Sequence, residues 1–120
     1  MDLQPTLTGP TITLRPIREE DYGELLAAAS DPEIWALHPA HDRWREPEFR
    51  AYFDRCLMAG GGLAARERST DRVIGASCYS FEGRQGGEVE IGWTFLVRDH
   101  WGGATNGEMK RLMIRHALQY

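Results

Sequence analysis

Cysteine is scarce in this chain of 120 residues: Cys56 and Cys78 are the only two, and neither belongs to a CxxC pair. That spacing excludes a disulfide framework, and reduced thiols are expected. His38 and His41 form an HxxH pair, but two ligands without a third nearby do not hold zinc, so no metal is expected. Lysine is scarcer still, Lys110 standing alone among fourteen cations. The net charge of −4 lacks the concentrated basic face of a nucleic-acid binder and favours basic substrates instead. No apolar run approaches the roughly 20 residues that a membrane span requires. Met1-Asp-Leu-Gln-Pro5 also lacks the basic and apolar regions of a secretion signal. The chain therefore reads as cytoplasmic, with neither nucleic acid nor membrane as partner.

What is present is the composition of a globular protein, 42% hydrophobic and 27% charged, over a length that suits one domain, 1–120. Thr11-Ile-Thr-Leu-Arg15 alternates as a half-buried strand does. Tyr22, Leu25, Leu26 and Ala29 fall on one helical face, and Asp31-Pro32 stops that helix. Phe49, Tyr52, Phe53, Cys56 and Leu57 repeat the spacing, with Pro47 in the first turn and Gly60-Gly-Gly62 after the last. Residues 63–67, 73–81 and 88–97 then read as three consecutive antiparallel strands, separated by Ser69-Thr-Asp71 and a Gly-rich turn. Met109, Leu112, Met113, His116, Ala117 and Tyr120 mark one face of a final helix, opened by a capping box of Thr105 and Glu108. The order is β-α-α-β-β-β-α, an α/β class with a mixed sheet.

The junction Arg98-Asp-His-Trp-Gly-Gly-Ala-Thr-Asn-Gly-Glu108 carries the chemistry. A Gly-containing turn leaves a strand and enters a helix, so backbone N–H groups converge at the positive end of the helix dipole and favour an anion such as a pyrophosphate. Asn106 there is either a helix cap or a residue beside that anion. Gly60-Gly-Gly62 and the glycines of 83–87 are turn punctuation, and neither cysteine has a paired base. His116, on an apolar helix face, reads as a core residue.

Thr11-Ile-Thr-Leu-Arg-Pro-Ile17, Asp31-Pro-Glu-Ile-Trp35, Val73-Ile-Gly75 and Glu90-Ile-Gly-Trp93, leading into Trp101-Gly-Gly-Ala-Thr-Asn106, occur here in a fixed order. In that order they resemble the GCN5-related N-acetyltransferase superfamily, in particular its branch that acetylates the N-terminal amines of ribosomal proteins and related small amines. The resemblance implies an acyl-CoA N-acyltransferase-like fold whose C-terminal strands would follow Tyr120. It also implies acetyl-CoA as co-substrate, a primary amine as acceptor and no metal. The backbone of Thr94, Phe95, Leu96 and Val97 would pair with the pantetheine arm. Trp101, Gly102, Gly103, Ala104, Thr105 and Asn106 would hold the pyrophosphate, although Trp101, Ala104 and Asn106 differ from the family's Gln/Arg-x-x-Gly-x-Gly/Ala.

The same resemblance makes Glu90 a general base, the alternative being a strand carboxylate that faces solvent with Glu88 as its companion. Attack on a thioester needs a neutral amine, and a carboxylate on a sheet is suited to take the proton. Trp35 belongs to the connection that forms one wall of the acceptor pocket. Tyr79 and Trp93 either pack the sheet or line the substrate channel. A last strand without a neighbour and an uncovered apolar helix face imply a homodimer or higher oligomer. The alternative to an enzyme is a non-catalytic binding or assembly module derived from this family, or an incomplete fragment without activity.

Overall fold

In this computed structural model, which describes residues 3–36, 41–80 and 90–119, the alternating stretch near the start becomes β2 (Ile12–Pro16), preceded by the two-residue β1 (Leu7–Thr8). After a 3₁₀ turn come α1 (Tyr22–Ala29), α2 (Pro32–Trp35), α3 (Glu46–Ala59), β3 (Gly62–Glu67), β4 (Val73–Ser80) and β5 (Glu90–Leu96). A second 3₁₀ turn, Arg98–His100, then leads into α4 (Thr105–Leu118). The strands lie side by side in chain order, each antiparallel to the next. The expected order therefore stands, with β1 and α2 added. The Gly-rich turn of 83–87, His38 and Tyr120 lie outside the described residues.

The Asp31-Pro32 pair, which ends α1, also starts α2. Asp31 accepts a hydrogen bond from the Glu33 amide at 3.0 Å, and Pro32 takes a first-turn position where its missing N–H costs nothing. At the end of α3, Gly60 closes the helix and the chain turns directly into β3.

Both faces of the sheet are covered. Trp35, Phe49, Tyr52, Phe53 and Cys56 from α2 and α3 pack with Leu25 of α1 on Ala64, Ala76, Cys78 and Phe95 of the sheet. Met109 and Met113 of α4 pack on Ile12, Leu14, Leu63, Ile74 and Tyr79 on the opposite face. This explains β3, whose first five residues are all buried rather than alternating, as in any strand enclosed by helices on both sides. Each fully buried Leu, Ile, Phe or Met contributes roughly 1.5–3 kcal/mol over its exposed state. The Cys56 and Cys78 thiols are free and buried, and Cys78 Sγ donates to the Tyr79 carbonyl at 3.3 Å. Arg66, also buried, grips both carboxylate oxygens of Glu24 at 2.9 and 3.2 Å and so ties α1 to β3.

The capping box expected of Thr105 and Glu108 does not form. Ala104 is the N-cap of α4 and offers no side-chain hydrogen bond. Glu108, only 5% exposed, instead turns into the sheet. Its carboxylate accepts from the Thr11 amide at 2.9 Å, the Ile12 amide at 3.0 Å and the Thr11 hydroxyl at 2.5 Å. The physical reason is that the amides entering β2 are covered by α4 and need an acceptor there. Burial alone would raise the Glu108 carboxyl, but the Thr11 hydroxyl and the two amides outweigh it and hold its pKa below the ordinary value. Gly9 leaves room for this contact, since a Cβ there would stand 2.4 Å from Glu108 Oε2.

Replacing Glu108 by Gln removes the charge from these hydrogen bonds and is expected to cost about 1–3 kcal/mol in urea unfolding at neutral pH. Because folding lowers this pKa, the contribution is complete above the unfolded carboxyl's value of about 4.3 and disappears as pH falls through the folded value. The gap between wild type and Glu108→Gln should therefore close in acid. Gly9→Ala, which displaces the same carboxylate, should destabilise in the same pH range.

Candidate functional site

β5 is an edge strand among the described residues, pairing only with β4. Its register carries a bulge: Ala76 pairs with Phe95 and Cys78 with Gly92, so three steps along β5 match two along β4. The extra residue falls at Trp93–Thr94 and re-aims the strand there, as bulges do. Phe95 points its ring into the α2–α3 side of the core. Thr94 and Leu96 face α4, as the strand period requires.

Beyond β5 the 3₁₀ turn is fastened at several points. Arg98 donates to Asp31, and Arg72 pairs both nitrogens with Asp99 at 3.0 and 3.2 Å. His100 sits between Glu67, 3.0 Å from its Nε2, and the Thr105 hydroxyl, 2.8 Å from its Nδ1. Trp101 folds its half-exposed indole back so that Nε1 donates to the Leu96 carbonyl at 2.9 Å. Gly102 then takes φ +74°, a left-handed conformation that a side chain would strain. The first helical bond of α4 runs from the Glu108 amide to Ala104. The amides before it have no acceptor within the helix, and no side chain caps them.

These elements enclose a cleft of about 430 Å³ lined by Ile34, Thr94, Phe95, Leu96, His100, Trp101, Gly102, Gly103, Asn106 and Lys110. Seven of the residues singled out in the sequence thus meet at one place: Thr94, Phe95, Leu96, Trp101, Gly102, Gly103 and Asn106. Val97 is buried in the core beside α4, and Thr105 turns its hydroxyl to His100. Ala104 serves as the N-cap of α4.

Lys110, which the sequence reading did not select, belongs to the same wall. Its Nζ donates to Thr94 Oγ1 at 2.7 Å, and Thr94 Oγ1 shares a 2.8 Å hydrogen bond with Ser77 Oγ. Burial pushes the Lys110 pKa down. The signal that finds it is its distance of four residues from Asn106, which puts both on one helical face. A larger cleft of about 550 Å³ lies on the far side of the 98–100 turn. Its charged lining is already paired, Asp31 with Arg98, Arg72 with Asp99 and Glu24 with Arg66.

Glu90 opens β5 opposite Ser80. The side chains of Glu90 and Trp93 lie outside the described residues. Trp35 and Tyr79 are 1% and 0% exposed; for Tyr79 this is the sheet-packing alternative, and for Trp35 it places the ring in the core between α2, α3 and the sheet. Trp35 spends its Nε1 on the Ala29 carbonyl, and Tyr79 donates its hydroxyl to the Met113 carbonyl at 2.5 Å. Burial raises the Tyr79 pKa to about 12. His116 is buried beside the Tyr79 ring. Among the described residues no three or more His, Cys, Asp or Glu side chains form a group able to hold a metal, and no described helix is long and apolar enough to cross a membrane.

A family model described as acetyltransferase (GNAT) domain matches residues 11–120. Solved structures share the fold. A GCN5-related N-acetyltransferase from Brucella melitensis is 18% identical with a TM-score of 0.74, the match covering 97% of this chain and 55% of that one. A GNAT-family acetyltransferase from Bacillus anthracis is 11% identical with a TM-score of 0.77, covering 96% and 67%. A probable GNAT-family acetyltransferase from Chromobacterium violaceum is 17% identical with a TM-score of 0.79, covering 95% and 60%. The chain thus spans a little over half to two thirds of the length of these structures. No curated protein matches it.

The placement of Tyr79 has a direct test. Tyr79→Phe removes only the hydroxyl that meets the Met113 carbonyl, and should lower stability by about 0.5–1.5 kcal/mol. Thermal unfolding reads that loss, and ligand affinity at the cleft should be unchanged.

Proposed function

The chain belongs to the acetyltransferase (GNAT) domain family, and from that premise we propose that its cleft takes acetyl-CoA and directs the acetyl group to a primary amine. The observation that carries this reading is the meeting of a strand edge unpaired among the described residues, β5, with an uncapped helix N-terminus, α4, across the left-handed Gly102. An uncapped N-terminus offers N–H groups to a pyrophosphate, so Gly102, Gly103, Thr105 and Asn106 suit that group, with Trp101 and Ala104 fixing the loop on either side. The edge of β5, free among the described residues, offers backbone groups of Thr94, Phe95 and Leu96 to the amides of the pantetheine arm, whereas the Val97 amide and carbonyl are already bonded to Ile74 and His100. Bound there, acetyl-CoA supplies an acetyl group activated as a thioester.

The protein's share of the chemistry is orientation and polarisation. Amides of β5 aimed at the thioester oxygen favour the charge that develops there, and Glu90 takes the proton from the attacking ammonium. Trp93 falls at the β5 bulge, and its assignment to the acceptor side rests on the family resemblance. The acidic net charge of −4 draws cationic acceptors, in keeping with a protein N-terminus, as in the ribosomal-protein branch, or a small amine.

Calorimetry with acetyl-CoA tests the donor site. Binding is expected, and Gly103→Pro, which removes a backbone donor from the loop, should weaken it by about tenfold or more. Glu90→Gln should leave that affinity in place and lower turnover on an amine panel by about 10²-fold. Heatless titration refutes the reading of the cleft, and unchanged turnover refutes the role of Glu90.

The helix face expected to be uncovered, with Met109, Leu112, Met113 and Ala117, packs on the sheet instead; the β5 edge, open among the described residues, and the outer face of α4, where Ile114 and Leu118 are 47% and 81% exposed, support association of two or more copies. Sedimentation at micromolar concentration is expected to show a dimer or larger species, which Leu118→Asp should dissociate. A sharp monomer for the wild type counts against it.

A further inference from the structure

Lys110 is the only lysine of the chain, and it is partly buried in the wall of the cleft proposed for the acetyl donor. Lysines normally lie at the surface with the ammonium in water or beside a carboxylate. Here, among the described residues, no carboxylate meets the Lys110 nitrogen. Among those residues its one hydrogen-bond partner is the Thr94 hydroxyl, itself bonded to Ser77. Thr94 stands on the strand whose free edge faces the cleft, at the bulge. A primary amine therefore sits on the donor side of the site, within reach of the strand that would carry the thioester arm.

We propose that Lys110 is itself an acetyl acceptor, so that the chain modifies its own cleft from bound acetyl-CoA. This rests on the donor-site reading above. Burial lowers the Lys110 pKa, which enlarges the neutral fraction that nucleophilic attack requires. The hydroxyl of Thr94 serves either protonation state, accepting from the ammonium and donating to the neutral amine. After the ammonium releases one proton to water, the Nζ lone pair forms a bond to the thioester carbonyl carbon. The C–S bond breaks with its electrons going to sulfur, and the second proton lost from nitrogen, relayed through Thr94 Oγ1, ends on the thiolate. The products are N-acetyl-Lys110 and free CoA. The modification also removes a positive charge that no carboxylate among the described residues offsets, so the acetylated chain holds an anionic donor less tightly and the reaction limits itself.

The test is mass spectrometry of the digested 120-residue chain after incubation with acetyl-CoA, with calorimetry of acetyl-CoA binding run alongside. Acetylation is expected on the peptide containing Lys110, saturating with acetyl-CoA and slowed by about tenfold or more when excess CoA competes for the cleft. Thr94→Val, which removes the hydroxyl relay, should slow it by a similar factor. The acetylated product should bind CoA about tenfold more weakly than the unmodified chain. Acetyl phosphate, a donor with no CoA portion, should modify Lys110 no faster than it modifies the N-terminal amine. Binding without acetylation of Lys110 overturns this inference and leaves the donor site standing. Acetylation that excess CoA does not slow, or that acetyl phosphate reproduces, also overturns it. Absence of acetyl-CoA binding overturns the donor site as well.

Discussion

The arrangement of the cleft depends on one carboxylate. Glu108 leaves its own helix end and satisfies two amides and a hydroxyl at the start of β2, across nearly the whole length of the chain. The contact fixes the rotation of α4 about its axis, because a helix that buries position 108 against β2 must bury Met109 and Met113 in the same face of the sheet. With that rotation set, Asn106 and Lys110 fall on the side toward β5. The same choice leaves the first amides of α4 without a side-chain cap. One acid thus settles both where the helix sits and what its N-terminus has free to offer.

Much of the fold was legible because the signals were local. The spacing of Phe49, Tyr52, Phe53 and Cys56 marked the buried face of α3, and the turns at Ser69–Asp71 and Gly60 separated the elements. β1 was not legible, since a two-residue strand carries no period. α2 was hidden by an ambiguity in Asp31-Pro32: the pair that stops one helix has the chemistry to begin another. The capping box failed for a different reason. Thr105 and Glu108 have the right spacing, but a buried backbone donor 96 residues away competes for Glu108, and no local pattern records such a competitor.

The site divides along the same line. Residues in one contiguous segment, Trp101 to Asn106, were recognisable together because the backbone turn itself is the feature. Trp35 was marked by its place in the connection between helices and Tyr79 by residue type, and large aromatic side chains serve a core as readily as a pocket. In each case the polar tip is committed to a backbone carbonyl. Lys110 lay hidden because its meaning comes from Thr94 and Ser77, on two strands far from it in sequence.

The two margins of the sheet are unequal. One is β1, two residues long, and the other is β5, seven residues long, with no strand beside it among the described residues. A growing fibre needs two competent margins on every unit, one to add to and one to be added to. A unit with a single long margin meets another face to face and is then used up. Unequal margins would therefore set a stoichiometric ceiling on the proposed association: strand pairing through β5 would stop at two copies, and a ligand occupying that margin would compete with the second copy for the same backbone groups.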